Sequence, residues 1–216
     1  LGVFGDWKHP YITMEPAYQA TIVREFGRFV GRGMVYKGLK PVHWCMHCKT
    51  ALAQAEVEYE DQTTPSVYVK FPVKAPSPAL AQGLGGRTAS LVIWTTTPWT
   101  LPANLALAVH PGETYTALEV GGEWLIVARA LAGAAGELDG VRGHAAATGL
   151  AVSGEGLAGT LARHPWLERD VPVIPADFVA MDTGTGLVHI APGHGEEDYE
   201  LGRKAGLKVY NPVDDD

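Results

Sequence analysis

Thr95, Thr96, Thr97 and Thr100 crowd one end of the segment Leu91-Val-Ile-Trp-Thr-Thr-Thr-Pro-Trp-Thr100. A hydroxyl both donates and accepts, and threonine brings neither a charge nor a strong nucleophile. Such a cluster suits holding a water molecule and the oxygen atoms of a substrate. The large apolar residues before it suit a buried strand, and Pro98 would remove a ladder donor if that strand ran on. The hydroxyls therefore fall at a strand end, beside Trp94, where the wall of a pocket is commonly built. Taken alone, the segment also fits a plain Thr-rich edge strand and turn.

A second constellation runs Asp182-Thr-Gly-Thr-Gly-Leu-Val-His-Ile-Ala-Pro-Gly-His-Gly-Glu-Glu-Asp198. It joins a glycine-rich turn, a strand carrying His189, another turn carrying His194 and a helix start carrying three carboxylates. Asp198 falls in the first helical turn, where backbone donors and the helix field should keep it ionised. An ionised carboxylate beside hydroxyls and a histidine can hold an ammonium group and orient water. The bland alternative is that Asp198 caps its helix and His189 satisfies a buried backbone group.

Other chemistries find less support. Ser153 sits in Val-Ser-Gly-Glu-Gly, which is no nucleophile elbow, and Ser66, Ser77 and Ser90 lack a flanking motif. Gly184-Thr-Gly186 matches neither dinucleotide nor P-loop spacing. His189, His194 and Asp198 make a poor metal cluster, because proline and glycine interrupt the two histidines. Cys45-Met-His-Cys48 has the spacing of one zinc knuckle, yet a structural zinc site takes four protein ligands. The two cysteines make a half-site that His43 and His47 could complete only from very close to the turn.

The elements that must position these groups are legible in outline. Thr13 is placed to cap a helix with Glu15 and Pro16 in its first turn. Ile22, Val23, Phe26, Phe29 and Val30 then follow one helical face, and Gly31 and Gly33 end it. Residues 55–59 alternate, and Val67, Val69, Phe71 and Val73 form one face of a strand. Residues 76–87 read as a surface loop. Residues 91–94, 106–109, 115–120, 124–128 and 187–190 read as strands, with His110-Pro-Gly-Glu113 and Gly121-Gly122 as turns. Alanine and glycine leave 130–159 ambiguous, Val171 to Ile174 returns to regular structure, and 196–204 suits a helix stopped by Gly206. A mixed α/β domain with a strand-rich, partly closed core follows.

The bulk composition sets limits. With 216 residues and 46% hydrophobic content the chain supports one large domain, or one domain and an appendage. The 26 glycines and 15 prolines demand many turns. A net charge of -7 argues against wrapping a long nucleic acid, but not against local phosphate contacts. No apolar run approaches a membrane span and no secretion signal opens the chain. A cytoplasmic, monomeric fragment with no membrane partner is the expectation. Leu1 in place of methionine and the acidic end Val213-Asp-Asp-Asp216 suggest a piece of a longer chain.

Four blocks together resemble the inserted editing (CP1) domain of class I isoleucyl-tRNA synthetases. Lys40-Pro-Val-His-Trp-Cys-Met-His-Cys-Lys-Thr-Ala-Leu-Ala53 is similar to the entry and zinc-knuckle segment. Trp94-Thr-Thr-Thr-Pro-Trp-Thr-Leu-Pro-Ala-Asn-Leu-Ala106 resembles the threonine-rich editing motif. The run Gly184 to Asp198 resembles the second editing motif, and Asn211-Pro-Val-Asp-Asp215 the return to the synthetic body. The valyl and leucyl relatives usually carry Thr-Thr-Arg-Pro where this chain has Thr-Thr-Thr-Pro. The synthetic motifs His-x-Gly-His and Lys-Met-Ser-Lys-Ser do not occur, and the family's second cysteine pair is missing.

The resemblance implies a strand-rich α/β, partly closed β-barrel-like editing fold with peripheral helices. Residues 1–53 would be an entry helix and partial zinc knuckle, 54–210 the editing domain and 211–216 a return linker. It implies hydrolysis of valine wrongly esterified to isoleucine tRNA, with the acceptor end and the rest of the parent synthetase as partners. A non-catalytic module binding the acceptor end is the alternative. Thr95, Thr96 and Thr97 would hold the water, Thr100 and His189 would select the side chain, and Asp198 would bind the ammonium. Trp94 and His194 would line the substrate site. No cofactor is implied for hydrolysis, while structural zinc at Cys45 and Cys48 belongs to the intact parent. A synthetic pocket rejects valine by only about 1–3 kcal/mol for one methylene. A second site that excludes isoleucine by size supplies the missing discrimination.

Overall fold

A computed structural model describes residues 2–136, 141–142 and 145–213. Its contacts divide the chain into two units, Leu1–Leu39 and Lys40–Asp216. The first unit is built on α1 (Pro16–Gly31), which starts on a proline, as a first helical turn tolerates. Thr13 does not cap it. Glu15 holds the cap position and makes no side-chain cap bond. Ile22, Val23, Phe26, Phe29 and Val30 are all exposed, so the helical face is present but uncovered among the described residues.

The second unit opens with a small hairpin, β1 (Trp44–Cys45) and β2 (Thr50–Ala51), whose turn carries the two cysteines. Residues 55–59 are not the strand that their alternation suggests. A 3-10 turn, Gln54–Glu56, and irregular chain replace it, because no neighbouring strand takes up its backbone groups. After it come β3 (Val67–Ala75), α2 (Pro78–Leu84), β4 (Ala89–Thr95), β5 (Ala106–Val109), β6 (Thr114–Val120) and β7 (Glu123–Ala128). The ambiguous stretch resolves into α3 (Ala132–Gly136), β8 (Ala146–Ala147), β9 (Val152–Ser153) and α4 (Gly154–Leu157). Then follow β10 (Leu161–Arg163), β11 (Asp170–Pro175), β12 (Leu187–Ile190) and α5 (Glu196–Lys204).

One mixed sheet holds ten strands along the path β12-β5-β11-β10-β3-β4-β7-β6-β8, with β9 also on β6. β4 runs parallel to β7 and β5 parallel to β11; the other pairs are antiparallel. The sheet curls until β12 lies against β4 without a hydrogen-bonded ladder between them. The strand-rich α/β reading holds, but the barrel-like part does not: the described strands close no ring. Phe71, Leu91, Ile93, Leu107, Ile126 and Leu187 fill the space inside the curl. That shared core sets the ends of β4 and β12 side by side.

The expected surface loop at 76–87 is instead a helix with a buried face. Ser77 accepts from the Leu80 N–H at 3.2 Å, Pro78 opens α2, and Gly85 stops it at a left-handed φ of 56°. The prolines and glycines that read as loop punctuation are the two ends of a short helix. Ser77 also donates to the Gly156 carbonyl of α4 at 2.5 Å, so its hydroxyl ties two helices together. Ser77→Ala should therefore lower stability by about 1–2 kcal/mol, the range for a lost cap, read as a shifted urea midpoint with an unchanged slope.

Candidate active site

β4 delivers Trp94 and Thr95 to the sheet's end, where Thr95 pairs with Val67 in the last register position of β3 and β4. The Thr95 hydroxyl accepts the Thr97 N–H at 3.0 Å and so turns the chain before Pro98. Thr95 is buried, Thr97 half-buried and Thr96 exposed, so the triple threonine does not present three equivalent hydroxyls. Pro98–Ala103 then forms a 3-10 segment with prolines at both Pro98 and Pro102.

Thr100 is the buried residue of that segment facing β12. Its amide donates to the Thr97 carbonyl at 3.0 Å and its hydroxyl to the same carbonyl at 2.8 Å. The one hydroxyl proton is thereby used. The His189 Nε2 atom, 3.0 Å from the Thr100 oxygen, must then be the donor. This assigns the Nε2–H tautomer and leaves Nδ1 as a buried acceptor with no partner. Burial first, then the nearby His194 and His164, push the His189 pKa down to about 4. At neutral pH Thr100 and His189 form an uncharged, buried, hydrogen-bonded pair. It is compact, and neither member is free to swing without breaking the pair.

The strand that carries His189 is held by its preceding turn. Gly184 has φ 73°, and a Cβ there would sit 3.2 Å from the half-buried Trp94 ring. Gly186 has φ 74°, and a Cβ there would come within 2.3 Å of the Ala128 Cβ. Its carbonyl accepts the Tyr115 hydroxyl at 2.7 Å. Only glycine meets both the left-handed backbone and the close approach.

Asp198 lies in the first turn of α5, and its Oδ2 accepts the Ala191 N–H at 2.8 Å. That bond ties the carboxylate to a residue two places beyond His189. The ionised form was expected to be favoured; the structure reverses the direction. Burial raises the Asp198 pKa to about 6, beyond what the Ala191 N–H offsets, and Glu197 adds repulsion. The carboxylate is still mostly ionised at pH 7, but it is under-compensated: no cation among the described residues pairs with it. His194 sits on the turn before α5, its ring edge-on to Trp99 with centroids 5.4 Å apart. Its Nε2 is buried without a partner. The two motifs therefore meet at two points, Thr100 with His189 and Trp99 with His194. Beside the second contact lies a cavity of about 550 Å³ lined by Lys40, His43, Trp44, Trp99, His194 and Asn211, among others.

Cys45 and Cys48 share one turn, where the Cys48 amide donates to the Cys45 sulfur at 3.4 Å. That amide is the main cause lowering the Cys45 pKa. Among the described residues no three His, Cys, Asp or Glu side chains gather to hold a metal, so His43 and His47 do not complete this site. Two thiolates do not fill a tetrahedral zinc shell.

Three residues of the neighbourhood escaped the sequence reading. Asn104 is fully buried and donates to the Ala106 carbonyl at 2.9 Å. His164 Nε2 and Arg169 Nη1 reach the carbonyls of the 3-10 segment from the β10–β11 hairpin. No local motif marks His164 and Arg169, because their partners lie more than sixty positions away along the chain.

The family model for tRNA synthetases class I (I, L, M and V) matches residues 1–189. Isoleucine--tRNA ligase of Geobacter sulfurreducens is 52% identical over 99% of this chain, and that of Moorella thermoacetica 50% identical over all of it. The chain spans only 23% and 22% of those two relatives. The crystal structure of GlLeuRS-CP1 superposes with a TM-score of 0.56 at 21% identity, covering 69% of this chain and 70% of that one. The Plasmodium knowlesi cytosolic leucyl-tRNA synthetase editing domain gives 0.50 at 15% identity, covering 68% and 70%. Those likenesses establish the fold, and the family match spans most of the chain. The chain belongs to the class I tRNA synthetases of the isoleucine, leucine, methionine and valine group, is similar to a segment of isoleucine--tRNA ligases, and shares its fold with those two leucyl-tRNA synthetase structures.

Proposed function

We propose that this chain hydrolyses the ester linking valine to isoleucine tRNA, and that it refuses the isoleucine ester by size. The observation that carries the reading is the buried, neutral Thr100–His189 pair, with an under-compensated carboxylate bonded to Ala191, two residues beyond His189. A hydrogen-bonded wall of two side chains gives a hard limit on side-chain length. An extra methylene could enter only by breaking that bond and leaving buried polar groups unpaired, a cost of about 1–3 kcal/mol that offsets its transfer into the site.

The chemistry needs little more. Asp198 pairs with the substrate ammonium, and its partial burial weakens the solvent screening of that contact. Hydroxyls at Thr95 to Thr97 hold a water against the ester carbonyl. Water oxygen bonds to the carbonyl carbon, the ester C–O bond breaks, and the ribose oxygen takes a proton as valine leaves as its acid. His189, with its pKa near 4, is too weak a base to drive this step at neutral pH. Rate enhancement then rests on positioning and on donors to the developing oxyanion, which suffices for a reactive aminoacyl ester. No cofactor enters the balance.

In this reading the acceptor end of the tRNA is the partner, and the cavity beside Trp99 and His194 lies on its approach. The remainder of a parent synthetase supplies synthesis of the ester, in the cytoplasm where translation runs. The test is hydrolysis of preformed Val-tRNA and Ile-tRNA of the isoleucine acceptor by the chain. Loss of the valine ester with survival of the isoleucine ester supports the proposal. Binding of the acceptor end with no loss of either ester would instead make the chain a non-catalytic binding module.

A further inference from the structure

The 3-10 segment that carries Thr100 is steadied from within only in part, by turns such as the Thr100 N–H to the Thr97 carbonyl. Pro102 offers no N–H, so the ladder that would steady Pro98–Ala103 is interrupted in its middle. Donors from another part of the sheet take over. His164 is buried, and its Nδ1 accepts the Leu167 N–H at 3.2 Å, so Nε2 carries the proton and donates to the Leu101 carbonyl at 2.9 Å. Arg169 Nη1 donates to the Pro102 carbonyl at 3.0 Å and also to the Asn104 carbonyl. The guanidinium carbon lies over the Tyr210 ring, 5.2 Å from its centroid, a further contact for Arg169. One hairpin thus grips three of the four carbonyls that follow Thr100.

We infer that Arg169, with His164 beside it, is a positioning residue that holds the Thr100–His189 wall at the spacing that excludes isoleucine. Thr100 and His189 belong to different elements, and their single hydrogen bond fixes their separation only while both backbones stay put. β12 is held by its ladder to β5 over four residue pairs. The 3-10 segment has no ladder, and the clamp does the same work for it. Loosening the clamp lets the segment move while leaving every side chain of the wall chemically intact. This inference rests on the editing reading for its activity readout, but its structural arm does not.

The test uses the whole chain. Imidazole proton–nitrogen spectra report the His189 Nε2–H directly, and hydrolysis of Val-tRNA and Ile-tRNA reports discrimination. In Arg169→Ala the His189 signal should shift or exchange away, and Ile-tRNA hydrolysis relative to Val-tRNA should rise about tenfold, the scale of one lost charge-assisted hydrogen bond. Arg169→Lys, which keeps the charge but not the planar fork, should recover part of both. Combined with Thr100→Ala, Arg169→Ala should add little further relaxation, since both act on one wall. Tyr210→Ala, which removes only the ring contact, should move both readouts in the same direction by less, and it serves if Arg169→Ala fails to fold. An unmoved His189 signal in a folded clamp variant overturns the inference, and so does full additivity with Thr100→Ala. Parental discrimination in Thr100→Ala with a shifted His189 signal in Arg169→Ala would sink the gating role and keep the clamp.

Discussion

If the chain hydrolyses as proposed, Thr100→Ala should turn a selective hydrolase into a permissive one, with Ile-tRNA cleaved at a rate approaching that of Val-tRNA. Removing the Thr100 side chain takes away the acceptor for His189 and the hydroxyl bond to Thr97 in one step. The space gained is that of two heavy atoms, enough for the extra methylene. Discrimination should fall by about 1–3 kcal/mol, or roughly tenfold to a hundredfold in the ratio of kcat/KM values. Attack on Val-tRNA should persist, because the groups assigned to water and ammonium are untouched. His189→Ala should relax the same ratio, and the pair should not be additive if they form one wall. The measurement is single-turnover loss of each ester for folded variants. Retention of parental discrimination in both would remove the Thr100–His189 pair as the sieve.

Asp198→Asn separates function from stability in opposite directions. Its amide oxygen keeps the Ala191 N–H bond but offers no charge to an ammonium. Hydrolysis of Val-tRNA at subsaturating substrate should fall about a hundredfold or more, as for loss of a buried charged contact. Stability should rise. Asp198 is raised from 3.8 to about 6 on folding, so the folded state binds its proton more tightly than the unfolded chain. The resulting cost is absent below the unfolded value, grows as pH rises from there to about 6, and is fully present at pH 7. Its scale is about 3 kcal/mol at most, at 1.36 kcal/mol per pKa unit. Denaturant titration of the parent and Asp198→Asn at pH 5 and pH 7 checks this: the gap should be wider at pH 7. The same ionisation predicts that parental kcat/KM declines as pH falls below about 6. Equal stabilities at both pH values would mean that the carboxylate carries no such cost.

Much of this site was legible from residue type and spacing. The break from Leu91-Val-Ile-Trp94 to threonines and Pro98 marked a strand end correctly, since proline stops the ladder wherever the strand lies. Glu196–Lys204 formed the helix that its acidic start and Gly206 announced. Residues 76–87 misled because Ser, Pro and Gly mark helix ends as well as loops, and only burial of Leu80 and Leu84 separates the two. Residues 55–59 misled because alternation needs a partner strand to become one.

Residue order alone sets the chemical inventory: which hydroxyls, rings and carboxylates exist, and on what local elements. Tertiary structure decided what each of them is. The pairing of Thr100 with His189 spans 89 positions and exists because the curled sheet sets β12 beside β4. The neutrality of His189 and the raised pKa of Asp198 come from burial, which no local pattern contains. The grip of Arg169 on the 3-10 segment spans 67 positions to Pro102 and has no motif at all. Side-chain type is a property of the chain, whereas desolvation and long-range hydrogen bonding are properties of the space that the packed chain encloses.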